Sequence, residues 1–568
     1  MDARSGRGFA PGFPDVRPVA GDLIRHLAER HGDRVLAVLG ENRLTYAGAD
    51  RQSSALAKGL LASGVGKGAR LGLLAPNGPD WIVTWLAGGR VGAVVIPLNT
   101  YATPRELDWQ LRHSDTAVLV TVGSHLGQDC PERLEQAVEG LRDQPRERIR
   151  ALSHPYLRAA WVLGEGEQPA RPWAGALADL AARGAEIDDD LLLAVEAQVS
   201  PADPMVVVYS SGSTADPKGA IHTHGAVLRH GHNLTQFREL RAGDRVYTPM
   251  PFFWVGGLSF ALVRAMHAGA TLVLEERFEP GATLELLERE RVTHVLGWPH
   301  MGPALTGHPD YARRDLSSIR GGGVLELLPA DVRPSDPGLV AGSLGMTETL
   351  GPHLIDHEGS ELTETRRGSF GCTVPGLEHR VVAPDGRVCG PGEPGELWVR
   401  GYAVMAGLHK REREDVFTPD GWYRTGDGGW FDEDGHFFFT GRLGELIKSA
   451  GMNVSPREVE QALEDQPEVT RAVVVGIPAG DRGQDVAAAI VVPALAGGPG
   501  AGGADAGGAA GEVAAGELAG RVRGTLSAYK VPRHMAVFTD DGQLPWLDSG
   551  KVDRRAVAAM LAARFGGR

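Results

Sequence analysis

Between Asp22 and Val122, helical runs such as AGADRQSSALAKGLLASG alternate with short β-rich runs, ARLGLLAP, GAVVIPLN and AVLVTV, and Gly, Pro or Asn punctuates each change. Strands that recur after intervening helices pair in parallel, with the crossover helices on the sheet faces. The chain is therefore expected to be α/β, with βα-layered sheets. The most apolar stretch, Leu71 to Leu98, obeys the same pattern, because Pro76, Asn77, Asp80 and Arg90 interrupt it. Those residues forbid an unbroken membrane span and suit a buried strand, helix and strand.

A chain of 568 residues exceeds one ordinary core, so two or three domains are expected. A second regime follows the strand pair WFDEDGHFFFTGR, where Asp434-Gly435 forms a hairpin turn. Ser455-Pro456-Arg457-Glu458 reads as a helix start, with Ser455 as N-cap, Pro456 at the first helical position and Glu458 reaching back in a capping box. Val459, Ala462 and Leu463 give that helix one apolar face, and the runs RAVVVGIP and DVAAAIVVP follow as strands. The end of the chain is thus expected to be a small α+β domain of roughly 120 residues. Within it, residues 494–516 are nearly all Gly and Ala without a periodic apolar face, which reads as a flexible surface insertion. Residues 125–200 are charged and irregular and give no clear pattern.

Asp and Glu (72) outnumber Lys and Arg (58) for a net charge of -14, which disfavours a nucleic-acid partner. Cys130, Cys372 and Cys389 form neither a CxxC pair nor a zinc-type spacing. Together with an N-terminus that lacks an apolar core segment, this points to a reducing cytoplasm and to no secretion signal.

The strongest local chemistry lies in Tyr209-Ser-Ser-Gly-Ser-Thr-Ala-Asp-Pro-Lys-Gly219, which follows the apolar strand PMVVVYS and precedes a helical stretch from Thr223. Backbone N–H groups of such a loop can form an anion nest, hydroxyls add donors, and Lys218 adds positive charge, so the loop can cradle phosphate. It is not a Walker A loop, because GxxxxGK[ST] is absent.

The segment resembles the Ser/Thr/Gly-rich phosphate loop of the adenylate-forming (AMP-binding) superfamily, which includes acyl-CoA synthetases, luciferases and peptide-synthetase adenylation domains. Ser343-Leu-Gly-Met-Thr-Glu-Thr349, Trp422-Tyr-Arg-Thr-Gly-Asp427, Gly441-Arg-Leu-Gly-Glu-Leu-Ile-Lys448 and Leu544-Pro-Trp-Leu-Asp-Ser-Gly-Lys551 resemble further family motifs in the family's order. The resemblance is to the acyl-CoA synthetase, or fatty-acid–CoA ligase, branch, and covers the chain from about residue 20. It implies a large N-terminal AMP-binding domain over residues 1–443 and a small mobile C-terminal domain over 444–568.

By that resemblance ATP or AMP is held by Ser210, Ser211, Gly212, Ser213, Thr214 and Lys218, by Gly321, Gly322 and Gly323, by Ser343, Leu344, Gly345, Met346 and Thr347, and by Asp427, Phe439, Arg442 and Lys551. Thr347 contacts the α-phosphate, Glu348 holds Mg²⁺, Asp427 accepts from both ribose hydroxyls, and Lys551 is the adenylation lysine. Lys551, Thr347 and Glu348 are the implied catalytic residues. A carboxylate is a poor nucleophile toward an anionic phosphate, so positioned cations and donors are what the reaction needs. Rotation of the small domain about Gly444 then exposes the acyl carbonyl to a thiol, with Lys448, Gly451 and Asn453 lining the thiol side. The sequence departs from the family at Gly444, usually Lys or Asp; at Ala215, usually Gly; and at Leu344, usually an aromatic that stacks on adenine.

Pro251-Phe-Phe-Trp-Val-Gly-Gly257 resembles the carboxylate-gating motif, with Trp254 where a histidine is common and Val255, Gly256 and Gly257 lining the acyl pocket. No acidic residue lies between Pro249 and Ala270 to pair with an α-amino group, which favours a fatty, alicyclic or aryl acid. His353 could read a polar group of the substrate, and is otherwise read as a satisfied surface or core histidine. The resemblance thus implies ATP, Mg²⁺ and coenzyme A as cofactors or co-substrates and a small carboxylic acid as partner, in a monomer or homodimer. Transfer to a carrier-protein phosphopantetheine or to an amine stays open as an alternative, as does a non-catalytic nucleotide-binding scaffold.

Overall fold

The computed structural model describes residues 4–5, 13–146, 148–163, 171–210, 217–237, 239–298, 301–445, 447–449, 452–479, 483–493, 509–523, 526, 530–547 and 551–565. It divides into two compact units, Met1–His379 with Val399–Tyr423, and Arg380–Trp398 with Arg424–Arg568.

The first unit is built on two large sheets. In the eight-stranded sheet, Ala174–Ala176, Ala159–Leu163, Val118–Val122, Arg70–Leu74, Val94–Pro97 and Pro204–Tyr209 run parallel in that order. Gly219–Thr223 and Gly407–Leu408 add antiparallel strands at one edge. The six-stranded sheet runs Gly321–Gly322, His294–Val295, Arg245–Tyr247, Thr271–Leu274 and Val35–Leu39 in parallel, closed by the antiparallel Asn42–Thr45. The expected βα layering is therefore present, and its parallel strands follow the apolar runs of the sequence.

One buried cluster joins residues of both sheets, such as Leu71, Val95 and Met205 with Leu36, Leu272 and Leu274, to the helices Ala20–His31, Tyr46–Ala62 and Pro79–Arg90. The last of these is buried on nearly every side, as a helix that is apolar all round must be. Its Trp81 and Trp85 rings lie 6.2 Å apart. Arg90, the charge that interrupts the Leu71–Leu98 run, is 2% exposed and pairs with Glu196 Oε1 at 2.5 Å and with Asp50. A buried guanidinium survives only with such partners. Among the described residues no helix is long and apolar enough to cross a membrane.

The region from 125 to 200, irregular as sequence, holds the helices Cys130–Ala137, Leu177–Arg183 and Asp189–Ala197 besides two strands of the large sheet. Residues 164–170 lie outside the described residues.

The strand Tyr423–Phe431, which lies in the second unit except for its first residue, pairs antiparallel with Phe437–Arg442 around Asp434-Gly435, with Gly435 at φ 92°. Arg471–Pro478 and Gln484–Val491 also pair antiparallel, and His534–Phe538 joins the latter in parallel. Alternation along these strands serves two cores. Val474, Ala488 and Ile490 face one that includes Val459 and Leu463, while Val473, Val475 and Ala489 face another that includes Val557 and Leu561 of the helix Arg554–Phe565.

The structure departs from the sequence expectation at two places. Ser455 caps the helix Pro456–Glu464 by accepting from Glu458 N, but the Glu458 carboxylate does not close a capping box: its Oε1 lies 2.6 Å from Lys530 Nζ. The full charge of Lys530 is a stronger partner than the cap amide. The Gly/Ala segment 494–516 is not irregular throughout, because a helix begins at Ala509 and runs to Val522. Leu518 and Val522, four residues apart, anchor it in the core. Residues 494–508 lie outside the described residues.

Candidate active site

In the first unit, the apolar strand Pro204–Tyr209 ends at Ser210, and the chain returns antiparallel as Gly219–Thr223. Ser210 N donates to Lys218 O at 3.0 Å, which closes the mouth of the Ser/Thr/Gly loop. Lys218 is exposed and makes no ion pair among the described residues, so its charge is available to an anion. Ser211, Gly212, Ser213, Thr214 and Ala215 lie outside the described residues.

The strand Leu344–Met346 and the strand Gly351–Ile355 form a hairpin, and Thr347–Thr349 makes its tight turn. A Cβ on Gly345 would meet the Gly351 carbonyl carbon at 2.6 Å, so only glycine allows the two strands to approach this closely. Thr349 Oγ1 donates to Gly351 O at 2.9 Å and fixes the turn from within. Thr347 and Glu348 remain half-buried at its tip, while Ser343 is exposed and Leu344 half-buried.

This turn is fastened to the strand that leaves the phosphate loop. His222, on Gly219–Thr223, places Nε2 2.8 Å from Thr347 O. Met405 N donates to Glu348 O at 2.8 Å, and Ala406 N donates to Ile221 O at 2.8 Å. Tyr423 Oη donates to Glu348 Oε1 at 3.3 Å. Burial pushes the His222 pKa down to about 4, so the ring is neutral near pH 7. His222, Met405 and Tyr423 were not singled out from the sequence, although Tyr423 lies inside the TGD-like motif.

Gly321–Gly322 pairs in parallel with His294–Val295. Gly322 sits at φ 120°, and a Cβ there would meet Val295 O at 2.2 Å, whereas Gly323 has open space. Gly322 N donates to Glu358 Oε1 at 2.5 Å, an anchor that sequence reading missed. In the gating segment, Asn77 holds the backbone from both sides: Nδ2 donates to Met250 O at 2.8 Å, and Oδ1 accepts from Phe252 N at 2.7 Å. Trp254, Val255 and Gly256 are half-buried, Trp254 edge-on to Phe253 at 5.1 Å, and Gly257 is packed against Pro251 O. Gly351 stands within 4.0 Å of Val255 O by its Cβ direction, which brings this segment beside the Thr347–Thr349 turn. His353 is fully buried, with Nδ1 2.8 Å from His379 Nε2, as befits a core histidine.

In the second unit, register pairs Asp427 with Arg442 across the hairpin. The Asp427 carboxylate is 1% exposed and has Arg442 Nε 2.7 Å from Oδ1. Arg442 Nη1 also donates to Thr425 O at 3.0 Å, and Thr425 Oγ1 accepts from Asp427 N at 3.0 Å. Phe439 is half-buried on the same strand. Gly444 lies in the turn Leu443–Glu445, outside the left-handed region, and a Cβ there would meet nothing within 4 Å. Lys448 and Asn453 are cross-strand partners, while Gly451 lies outside the described residues. Lys551 is exposed, its carbonyl accepts from Leu547 N at 2.8 Å, and it makes no ion pair among the described residues.

The family model described as AMP-binding enzyme matches residues 24–409, and the AMP-binding enzyme C-terminal domain matches 458–551. A feruloyl-CoA synthase of Amycolatopsis sp. is 33% identical over 521 residues, covering 90% of this chain and 93% of its own. An indoleacetate–CoA ligase of Aromatoleum aromaticum is 31% identical over 541 residues, covering 92% and 94%. The crystal structure of an anthranilate CoA ligase in complex with anthranoyl-AMP superposes with TM-score 0.78 at 23% identity, over 97% of this chain and 99% of that one, a likeness of fold.

Proposed function

Since the chain belongs to the AMP-binding enzyme family and is an AMP-forming acid–thiol ligase, we propose that it joins a fatty, alicyclic or aryl acid to coenzyme A, with aryl acids first among these. The observation that carries the reading is the fastening of the Thr347–Glu348 turn to the strand after Lys218, through His222, Met405 and Ala406. Residues more than a hundred positions apart are thereby brought together as an exposed lysine, a phosphate-loop exit, a hydroxyl and a carboxylate.

In the first half-reaction a carboxylate oxygen of the acid attacks the α-phosphorus of ATP. An acyl–oxygen–phosphorus bond forms, and the bond to the β-phosphate breaks with departure of pyrophosphate. Lys218 and the loop donors offset phosphate charge, Thr347 orients the α-phosphate, and Asp427 accepts from the ribose diol. Glu348 supplies a half-buried hard oxygen donor that fits Mg²⁺, which when bound would neutralise phosphate charge. Lys551 approaches the developing charge from the small domain over residues 444–568. In the second half-reaction the thiol sulfur attacks the acyl carbon, the carbon–oxygen bond to AMP breaks, and the thiol proton passes to solvent.

The preference for an apolar acid is supported by the uncharged segment Pro251–Gly257 and its half-buried Trp254, and the two relatives named above are named for aryl acids. The test is acid-dependent ATP–pyrophosphate exchange over fatty, alicyclic, aryl and amino acids, followed by thioester detection with coenzyme A. Exchange with an aryl acid plus thioester formation is expected. Exchange without thioester would replace coenzyme A by another acceptor, and exchange with amino acids alone would overturn the acid class.

A further inference from the structure

We propose that His222 is a positioning residue for adenylation, holding the Thr347–Glu348 turn in register with the strand that leaves the phosphate loop. This rests on the adenylating function argued above. Three observations carry it. His222 Nε2 lies 2.8 Å from Thr347 O, the backbone oxygen of the residue assigned to the α-phosphate. A carbonyl can only accept, so Nε2 carries the proton and Nδ1 does not. The ring is fully buried, and its Nδ1 has no hydrogen-bond partner among the described residues.

An apolar side chain would fill this place without burying an unpaired Nδ1, so packing alone does not ask for histidine. What the imidazole adds is one directed bond across 125 positions of sequence, onto the turn that presents Thr347 and Glu348. The backbone bond from Met405 N to Glu348 O holds the same turn from its other side. With His222 removed, that bond and the one from Tyr423 Oη to Glu348 Oε1 remain, but Thr347 O keeps only the bond it accepts from Leu350 N within the turn, so the Thr347 end is no longer tied to the strand that leaves the phosphate loop and can pivot. The fold survives, but the hydroxyl and carboxylate no longer keep a fixed distance from the loop that binds the phosphates.

The experiment compares His222→Leu with His222→Gln, whose amide restores a donor of similar reach. We expect His222→Leu to lower kcat/KM for ATP in pyrophosphate exchange by ~10-fold, as loss of one positioning hydrogen bond would. Thioester formation from supplied acyl-adenylate and coenzyme A should stay within about twofold, and His222→Gln should recover most of the loss. Folded His222→Leu with unchanged exchange, or with both half-reactions reduced equally, overturns the proposal. So does failure of His222→Gln to recover activity when it is as stable as wild type. Calorimetric binding of ATP with Mg²⁺ separates the proposal from the function it rests on. If wild type exchanges with no acid yet binds ATP, and His222→Leu binds it ~10-fold more weakly, the ligase reading falls and the positioning role stands. If wild type does not bind ATP, both fall.

Discussion

Arg442 places Nε 2.7 Å from Oδ1 of Asp427, whose carboxylate is 1% exposed, while the arginine side chain itself is 47% exposed. The strand register that sets Asp427 opposite Arg442 makes the pair a consequence of the Asp434-Gly435 hairpin. Asp427→Asn keeps the volume and leaves a half-exposed arginine that water can solvate, so the cost to stability is small. In the proposed role Asp427 accepts from the ribose hydroxyls, so the loss should fall on nucleotide binding, where hydrogen bonds to a charged acceptor are worth about 1.5–3 kcal/mol. KM for ATP in pyrophosphate exchange is expected to rise by ~10-fold or more, with Tm within a few degrees of wild type. A drop in Tm without a change in KM would make the pair structural only.

Gly444 stands where the family usually has Lys or Asp, yet its backbone is not left-handed and a Cβ would meet nothing within 4 Å. Gly444→Ala is therefore expected to be neutral or stabilising by up to about 1 kcal/mol, through a less flexible unfolded chain. Gly444→Pro also stiffens the backbone of the folded state. It should spare pyrophosphate exchange and suppress thioester formation if the small domain rotates there. Equal loss in both half-reactions would place the hinge elsewhere.

What could be read from sequence was whatever the chain encodes locally. ARLGLLAP and GAVVIPLN became parallel strands because their apolar runs and Gly/Pro breaks lie within a few residues. Ala159–Leu163 was missed because it is a five-residue strand set among charges, and its place in the sheet is decided by Val118–Val122 some forty residues earlier. The motif residues announced themselves, but their supports did not: His222 and Thr347 are 125 positions apart, and nothing local to either marks the bond. Glu358 under Gly322 and Asn77 on the gating segment were hidden for the same reason. Glu458 shows the converse, a local capping pattern overridden by Lys530, 72 positions away.

Glu275 offers a pH test away from the motifs. Burial pushes its pKa up to about 7, against the hydrogen bonds it accepts from Tyr247 and Thr283, and Glu279 adds repulsion. The protonated form is thus favoured in the fold. As pH rises from the ordinary carboxylate range to about 7, the unfolded chain gives up a proton that the folded chain keeps, so stability falls across that window and levels off above it. The size is about 2–3 kcal/mol after discounting for partial exposure. Glu275→Gln should lose this dependence, read as urea midpoints at about pH 5 and about pH 8. An unchanged difference between the two conditions would remove Glu275 as its source.

Lys551 is exposed, and among the described residues nothing but solvent competes for its charge. In the proposed role the lysine acts in only one of the two half-reactions, and a fixed ion pair would have to be broken at every turnover. Lys551→Ala should therefore leave Tm unchanged. The adenylation half-reaction loses a preorganised positive donor, for which ~10²–10³-fold is the usual scale. If Lys551 serves adenylation alone, as proposed, thioester formation from supplied acyl-adenylate should persist near the wild-type rate. Lys551→Arg keeps the charge but not the compact ammonium, and should recover only part of the loss. The decisive comparison is the ratio of the two half-reactions in one preparation: a ratio that falls by about a hundredfold assigns Lys551 to adenylation, whereas a constant ratio assigns the lysine to binding common to both steps.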